Sequence, residues 1–501
     1  MDTTFDLIRD LPGRDGQEVT LGGWLYGRRT GGRIAFLLVR DGTGLCQCVV
    51  EASNPDAFKI AAELPQESSL IVRGRVRADA RAAGGVELAV QSLQVLQKAE
   101  DYPIARKAHG VDFLMANRHL WLRSQRQTAL LKVRHTVIRT CREFFDRQGF
   151  TLIDTPILVP GAGEDTQSLF PVDYYGEPAF LTQTGQLHLE CACMALRKVY
   201  CFGPTFRAEK SKTRRHLSEF WMIEPEIAFA ELDDVMALAE NLVADVVQRV
   251  LAENAAELKV IGRDTAPLQR IGKPFARMTY TEAADRLRSP ETRAWLEAEL
   301  ERDRALLAKR VRELAELDGK LAAAAKGPAR DRLQDQVSDL REDVRDLDAD
   351  VSARPEHIRL AQSFEWGKDL GGSDETILSR MHERPVFVTD YPRQAKAFYM
   401  KVGDGGHGKT VRNMDLLAPE GYGEIIGGSQ REENLEVLTA RMREVGLDPA
   451  NYAWYLDLRR YGSVPHGGFG LGIERTLAWI CGLKHVREAI PFPRLMGRMD
   501  I

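Results

Sequence analysis

The stretch that most restricts the fold is residues 202–229, FGPTFRAEKSKTRRHLSEFWMIEPEIAF. An apolar run enters a polar loop carrying Lys210, Lys212, Arg214 and Arg215, and an aromatic, apolar run leaves it. That pattern predicts two strands joined by a long basic loop. Period-two alternation places Phe220, Met222 and Glu224 on one face of the second strand and Glu219, Trp221 and Ile223 on the other. Arginine beside an aromatic plane suits a nucleotide, the guanidinium meeting a phosphate and the ring a base. A surface hairpin with a solvated loop accounts for the same residues equally well.

The run FRAE…RRHLSEFWMIEPE resembles motif 2 of class II aminoacyl-tRNA synthetases, in the form carried by asparaginyl-tRNA synthetases. The resemblance implies that Arg207 holds the α-phosphate of ATP, that Glu209 and Phe220 seat the adenine, and that His216 and Arg215 meet the departing phosphates.

At 501 residues the chain has room for about three domains. Its net charge of -4 excludes a globally cationic nucleic-acid binder and leaves room for a local basic surface. The seven cysteines, with pairs at Cys46/Cys48 and Cys191/Cys193, lack the C-x-x-C spacing of a zinc site and suit free thiols in a reducing cytosol. The start, MDTTFDLIRD, has neither the basic flank nor the apolar core of a signal peptide, and no apolar run reaches spanning length. A cytoplasmic protein without a membrane partner is expected.

Residues 17–98 read as five short strands with one helical segment near 58–64, a small barrel of the oligonucleotide-binding (OB) type within a first domain at 1–100. Arg28, Arg29 and Arg33 cluster beside Phe36, with Gln47 on the next strand, a set that could grip a single-stranded loop. Phe36 as ordinary core is the other reading. The barrel resembles the anticodon-binding domain of aspartyl- and asparaginyl-tRNA synthetases. That implies Phe36 stacking on the central anticodon uridine, Gln47 hydrogen-bonding it, and Arg28 and Arg29 on the RNA backbone.

Residues 101–125 carry no clear period and read as a hinge into a catalytic domain at 126–501. A helix over 124–148 and the following GFTLIDTPILVPGAGED resemble motif 1 with its proline at Pro156, which implies a homodimer. Glu164 and Gln186 bound predicted strands; the resemblance implies that they hold the amino acid, at its ammonium group and its α-carboxylate end. Over 291–352 apolar residues recur at coiled-coil spacing, at Leu300, Leu307, Leu314 and Leu321 and again from Leu333 to Val351, with a break at Lys326-Gly327-Pro328. This predicts an inserted antiparallel helical hairpin. Its balanced charge favours a solvated structural arm, so excising 291–351 is expected to leave activation largely unchanged.

Asp415 and Glu424 are brought together by a strand turn, an oxygen-only pair that suits magnesium against phosphate. GFGLGIERTL lacks the βαβ setting of a dinucleotide loop and resembles motif 3, which implies that Arg475 covers the adenine and reaches the terminal phosphate. Aspartyl enzymes surround their substrate carboxylate with cations, one a lysine where this chain has Leu189, and carry aspartate at the position of Glu224. Arg431 matches their side-chain-binding arginine. A carboxamide needs one donor and one acceptor, which Arg431 and Glu224 supply, whereas an aspartate would meet Glu224 as a buried like charge.

The expected fold is α+β: an OB-fold barrel plus the antiparallel class II sheet flanked by helices, with the hairpin inserted. The expected activity is ATP-dependent ligation of L-asparagine to the terminal 3′-hydroxyl of tRNA(Asn) through an adenylate, with Mg2+ and with Arg207, Glu424 and Arg475 catalytic. The rivals are an aspartyl-tRNA synthetase, discriminating or charging both tRNAs, an ammonia-dependent asparagine synthetase and a non-enzymatic tRNA-binding paralogue.

Overall fold

The computed structural model describes residues 5–105, 109–161, 163–164, 167–210, 213–325, 327–403 and 408–499; Lys212 and Lys326 lie outside them. The chain forms two units, residues 1–107 and 108–501.

Unit 1 is a closed barrel of β1 (Glu18–Gly31), β2 (Ile34–Arg40), β3 (Leu45–Glu51), β4 (Ser69–Ala78) and β5 (Val86–Gln97), in the order β1-β2-β3-β5-β4. Alternation sends Leu21, Leu25, Val72 and Leu88 inward, and the helix Pro55–Glu63 adds Ala57 and Ala61 to the same core. The Asn54 side chain caps that helix by accepting from the Ala57 amide. On β2 the core takes Ala35, Leu37 and Val39, so Phe36 turns outward.

Unit 2 carries β6 (Thr151–Leu152), β7 (Leu158–Val159), β8 (Pro171–Tyr174), β9 (Glu177–Leu181), β10 (Lys198–Phe206), β11 (Glu219–Ala228), β12 (Ala276–Thr279), β13 (Val386–Thr389), β14 (Asn413–Ala418), β15 (Gly423–Gln430) and β16 (His466–Gly472). Eight of them form one sheet, β12-β13-β14-β15-β16-β11-β10-β6, and β7-β9-β8 form a small one. The inner pairs of the large sheet are antiparallel; the two edge pairs, β12/β13 and β10/β6, are parallel. The helices Gln125–Arg147, Leu232–Glu253 and Ile473–Cys481 share one core with this sheet through Val133, Val137, Leu242, Val246 and Trp479. Ile223, Met414, Leu416 and Ile426 point into that core. Their strand neighbours Glu224 and Asp415 therefore face the other side. Among the described residues no helix is long and apolar enough to cross a membrane.

Two sequence expectations change. The segment 101–125 is not a hinge throughout, because Arg118 is buried in unit 2, donating to the Pro491 and Ile490 carbonyls at 2.8 and 2.9 Å and to Gln127 at 2.7 Å. The hairpin is present as Pro290–Ala323 and Pro328–Gln362, so its second helix runs past 352. It continues because Ile358 and Ala361 pack with Leu296, Tyr280 and Ile377 in a core of their own.

Nor is the hairpin a free arm. Lys484 pairs with Asp343 and Asp346 at 2.8 and 3.1 Å, and Arg214 lies 3.8 and 3.5 Å from Asp346 and Asp350. Excision of 291–351 would remove Leu296 from that core, so the deletion is expected to cost stability. Leu296→Ala alone is expected to cost about 3 kcal/mol, read as a lowered urea midpoint.

Candidate active site

The hairpin β10–loop–β11 is in register, Thr205 opposite Phe220 and Cys201 opposite Glu224, so both residues stand on one face as alternation requires. At its open end Arg207, Glu209, His216, Phe220, Glu424 and Arg475 line a narrow cavity of about 70 Å³. Arg207 pairs with Glu164 at 2.8 Å, and its guanidinium lies 5.4 Å from the Phe220 ring centroid. Arg475 donates to Glu424 Oε2 at 2.9 Å and to its carbonyl at 3.2 Å. His216 Nε2 is 3.3 Å from Glu209. Burial, with the nearby Arg475 charge, pushes the His216 imidazole down against the pull of Glu209.

Arg215 also lines this cavity, but its guanidinium is already engaged on the far side. It donates to the Gly372 carbonyl at 3.2 Å, to Thr376 Oγ1 at 2.5 Å and to the Gly421 carbonyl, and it meets Glu375 at 3.4 Å. Its fork braces the loop against the helix Gly372–Arg380.

A second cavity, about 330 Å³, continues along the sheet past Arg207 and Glu424 and is lined by Glu164, Gln186, Glu224, Lys396, Asp415 and Arg431. Glu224 is held by neutral donors: Thr184 Oγ1, the Gly185 amide at 3.0 Å and Cys201 Sγ at 3.4 Å. Burial pushes its carboxyl up, and these hydrogen bonds hold it partly back. Arg431 meets a carboxylate that the sequence reading did not single out. Its Nε and Nη2 grip both oxygens of Glu226, at 3.0 and 2.9 Å, and its Nη1 donates to Ser429 at 2.7 Å.

Gln186 opens the helix Gln186–Leu196 instead of bounding a strand. Its Nε2 donates to Glu190 Oε1 at 3.0 Å. An ionised carboxylate only accepts, so one of the two amide N–H groups is committed to Glu190, and the second N–H and the carbonyl oxygen are left for a ligand. The remaining donor suits the α-carboxylate end expected from the resemblance, and the oxygen can also accept from the ammonium group. Glu190 itself is fully buried, accepting also from Tyr455 at 2.8 Å, Arg459 at 2.7 Å and His466 at 3.0 Å. Glu190, Glu226 and His466 come within 4.8 Å of one another, but each carboxylate already has an arginine on it, which leaves no charge for a metal.

Asp415 and Glu424 flank Gly427, where a Cβ would lie 2.8 Å from Glu424 Oε1 and 3.6 Å from Asp415 Oδ1. The missing side chain leaves room between two carboxylates, and the all-oxygen donor set fits a hard divalent cation such as magnesium. Lys396 sits on Asp415 at 2.9 Å and on Asp369 at 3.2 Å. Burial pushes Asp415 up to about 6 despite Lys396; against its own burial, Glu424 is held below the usual range by Arg475, Lys396 and Arg207.

On the barrel, Arg29 stacks over Phe36 at 4.3 Å and donates to Gln47 at 3.3 Å, and Gln47 donates to Glu87 at 3.2 Å. These three form one outer patch. Arg28 does not join it: one residue earlier on β1, it points the other way and donates to the Ala62 carbonyl.

Residues 110–496 match the family described as tRNA synthetases class II (D, K and N), and residues 19–96 match the OB-fold nucleic acid binding domain. The chain belongs to the class II D, K and N tRNA synthetase family. Among its curated relatives, the asparagine–tRNA ligase of Koribacter versatilis is 47% identical over 497 residues, covering 98% of each chain. That of Desulforamulus reducens is 46% identical over 494 residues, 98% of this chain and 99% of its own. Among solved structures, the Pyrococcus horikoshii asparaginyl-tRNA synthetase complexed with asparaginyl-adenylate aligns over 100% of both chains with 38% identity and a TM-score of 0.82.

Within this family's fold, sequence reasoning missed Glu226, Glu190, Lys396 and Glu375. Glu226 was within reach, since alternation along β11 carries it to the same face as Glu224. Glu375 was not, because it enters from a helix far along the chain, where it accepts from the Glu424 amide at 3.0 Å and contacts Arg215.

Burial and the neighbouring Glu424 charge push Glu375 up to about 7. A raised carboxyl contributes stability that is fully present below about pH 4.5 and is lost as pH rises through about 7. Glu375→Gln is therefore expected to flatten this part of the profile. Its Tm relative to wild type should rise between pH 5 and pH 8, by the equivalent of at most about 3 kcal/mol.

Proposed function

We propose that this chain activates L-asparagine with ATP and transfers it to tRNA(Asn), as an asparagine–tRNA ligase. The observation that carries the choice of amino acid is Glu224, a buried carboxylate held by neutral donors and facing the same cavity as the Arg431–Glu226 pair. Arg431 offers a donor to a carboxamide oxygen and Glu224 an acceptor to its nitrogen. Leu189 is fully buried beside Cys201, so no cation approaches Glu224 from the position where aspartyl enzymes place a lysine. An aspartate would bring a second negative charge against Glu224.

In the activation step Arg207 positions the α-phosphate in line with the asparagine carboxylate. A carboxylate oxygen bonds to the α-phosphorus as the bond to the bridging oxygen breaks, and pyrophosphate leaves with the electron pair. Glu164 holds the ammonium group and Gln186 the α-carboxylate end; Glu209 and Phe220 seat the adenine; Arg475 and His216 meet the outer phosphates. Asp415 and Glu424 are the residues that would hold Mg2+, which neutralises phosphate charge when bound. The terminal adenosine 3′-hydroxyl then attacks the adenylate carbonyl and expels AMP. Positioning and fixed charge supply the rate, with no side-chain nucleophile.

The patch of Phe36, Arg29 and Gln47 takes the anticodon. Leu152, Ile157 and Leu158 are exposed on and between β6 and β7, which supports a homodimer through this face. All seven cysteines are free thiols, in keeping with the cytoplasm.

The test is amino-acid-dependent ATP–pyrophosphate exchange without tRNA. Exchange with asparagine and not aspartate is the expected result. Exchange with aspartate alone would overturn the pocket assignment and leave the fold untouched.

A further inference from the structure

Behind the nucleotide cavity lies another, about 380 Å³, that no role above explains. Arg215, Arg475 and Val486 line both cavities, so the two adjoin at these side chains. Its remaining walls come from the inserted hairpin (Leu296, Asp350, Arg354, His357), the helix Gly372–Arg380, the turn at Glu420–Tyr422 and the segment around Lys484 and His485.

Six cationic side chains face this space, Arg214, Arg215, Arg354, Arg380, Arg475 and Lys484, against two carboxylates, Asp350 and Glu420. Most of the cations are tied back: Arg354 to Asp303 at 2.8 Å, Lys484 to Asp343 and Asp346, Arg214 to Asp346 and Asp350, Arg475 to Glu424 and Arg215 to Glu375. Arg380 is the least committed; among the described residues its carboxylate contact is Glu299, at 3.9 Å. Burial, then the like charges of Arg475 and Arg380, lowers Arg215. Burial, then Arg487 and Arg214, pushes His485 down to about 4, so it is neutral near pH 7. Guanidinium groups crowded around a cavity make a site for a multiply charged anion.

We propose that this cavity receives inorganic pyrophosphate as it leaves the nucleotide site, with Arg380 and Lys484 as its outer anion contacts and the inserted hairpin as its outer wall. The inference rests on the adenylate-forming reading above. It gives the insertion a part in the reaction. The anion crosses from Arg475 and Arg215 to Arg380 and Lys484 without meeting an uncompensated carboxylate, because Asp350 and Glu420 are each held by an arginine, Arg214 and Arg263.

Exchange kinetics with asparagine separate this inference from the reading beneath it. If the wild type fails to exchange with any amino acid, the activation reading falls first. Given wild-type exchange, the double variant Arg380→Met/Lys484→Met is expected to raise the KM for pyrophosphate about tenfold. Its KM values for ATP and asparagine should stay within about twofold of wild type. Methylenediphosphonate titrated into the protein by calorimetry should bind correspondingly more weakly to the double variant.

An unchanged pyrophosphate KM in a folded variant overturns the proposal. So does an equal rise in the ATP KM, which would place both side chains on the bound triphosphate. Arg380→Lys/Lys484→Arg keeps the charge and should restore the pyrophosphate KM. If it behaves like the double methionine variant, the two residues serve packing and the proposal is wrong.

Discussion

Arg207→Ala is expected to lower ATP–pyrophosphate exchange by about 10³-fold or more while the circular-dichroism spectrum stays that of wild type. The side chain is half-buried, pairs with Glu164 at 2.8 Å and lies over the Phe220 ring, so it stands where the nucleotide and amino-acid cavities meet. Its removal takes away the charge proposed to meet the α-phosphate and also leaves Glu164 without its 2.8 Å partner. Arg207→Lys separates the two losses: it keeps a charge near Glu164 but not the planar fork, and should recover only part of the rate. An alanine variant with near-normal exchange would remove Arg207 from the chemistry.

Glu190→Ala should give the largest loss of stability of any single change at the site, about 3–5 kcal/mol, seen as a fall in the urea midpoint. The substitution strips a fully buried Arg459 of its 2.7 Å partner and leaves His466, Tyr455 and Gln186 without the acceptor they share. Because Gln186 then loses the contact that orients its amide, the KM for asparagine should rise more than the KM for ATP. A variant as stable as wild type would mean that water or Glu226 replaces the lost charge.

The faces of the central hairpin were legible because strand alternation is a local rule. Phe220, Met222 and Glu224 do share the cavity side, and Trp221 and Ile223 the core side. The barrel was legible for the same reason, and Phe36 proved to be surface because its neighbours Ala35 and Leu37 had already taken the core. Alternation also separates Arg28 from Arg29, a distinction that clustering in sequence concealed.

What stayed hidden depended on tertiary approach. Lys396 reaches Asp415 from a loop, Glu375 reaches Glu424 from a helix beyond the insertion, and Glu190 meets Arg459 across 269 positions. No period or spacing announces such meetings. The hairpin's seam was visible, but not the anchoring of its base, since Leu296 and Ala361 look like any other apolar seam positions until Tyr280 and Ile377 are placed beside them.

The floor of the amino-acid cavity has a consequence for anyone who would retune this catalyst in the laboratory. Glu190 and Glu226 are matched by Arg459 and Arg431, all deeply buried, so the four behave as a closed circuit of opposite signs. Breaking one link strands its partner in a dry interior, and the damage from two breaks is not the sum of each. A library of single substitutions at these positions would return mainly collapsed proteins, whatever side chain the new substrate called for. Productive routes to a different amino acid run through coordinated replacements, two opposite charges exchanged or removed in one step, and a search that samples such pairs should find folded variants that a one-at-a-time walk never reaches.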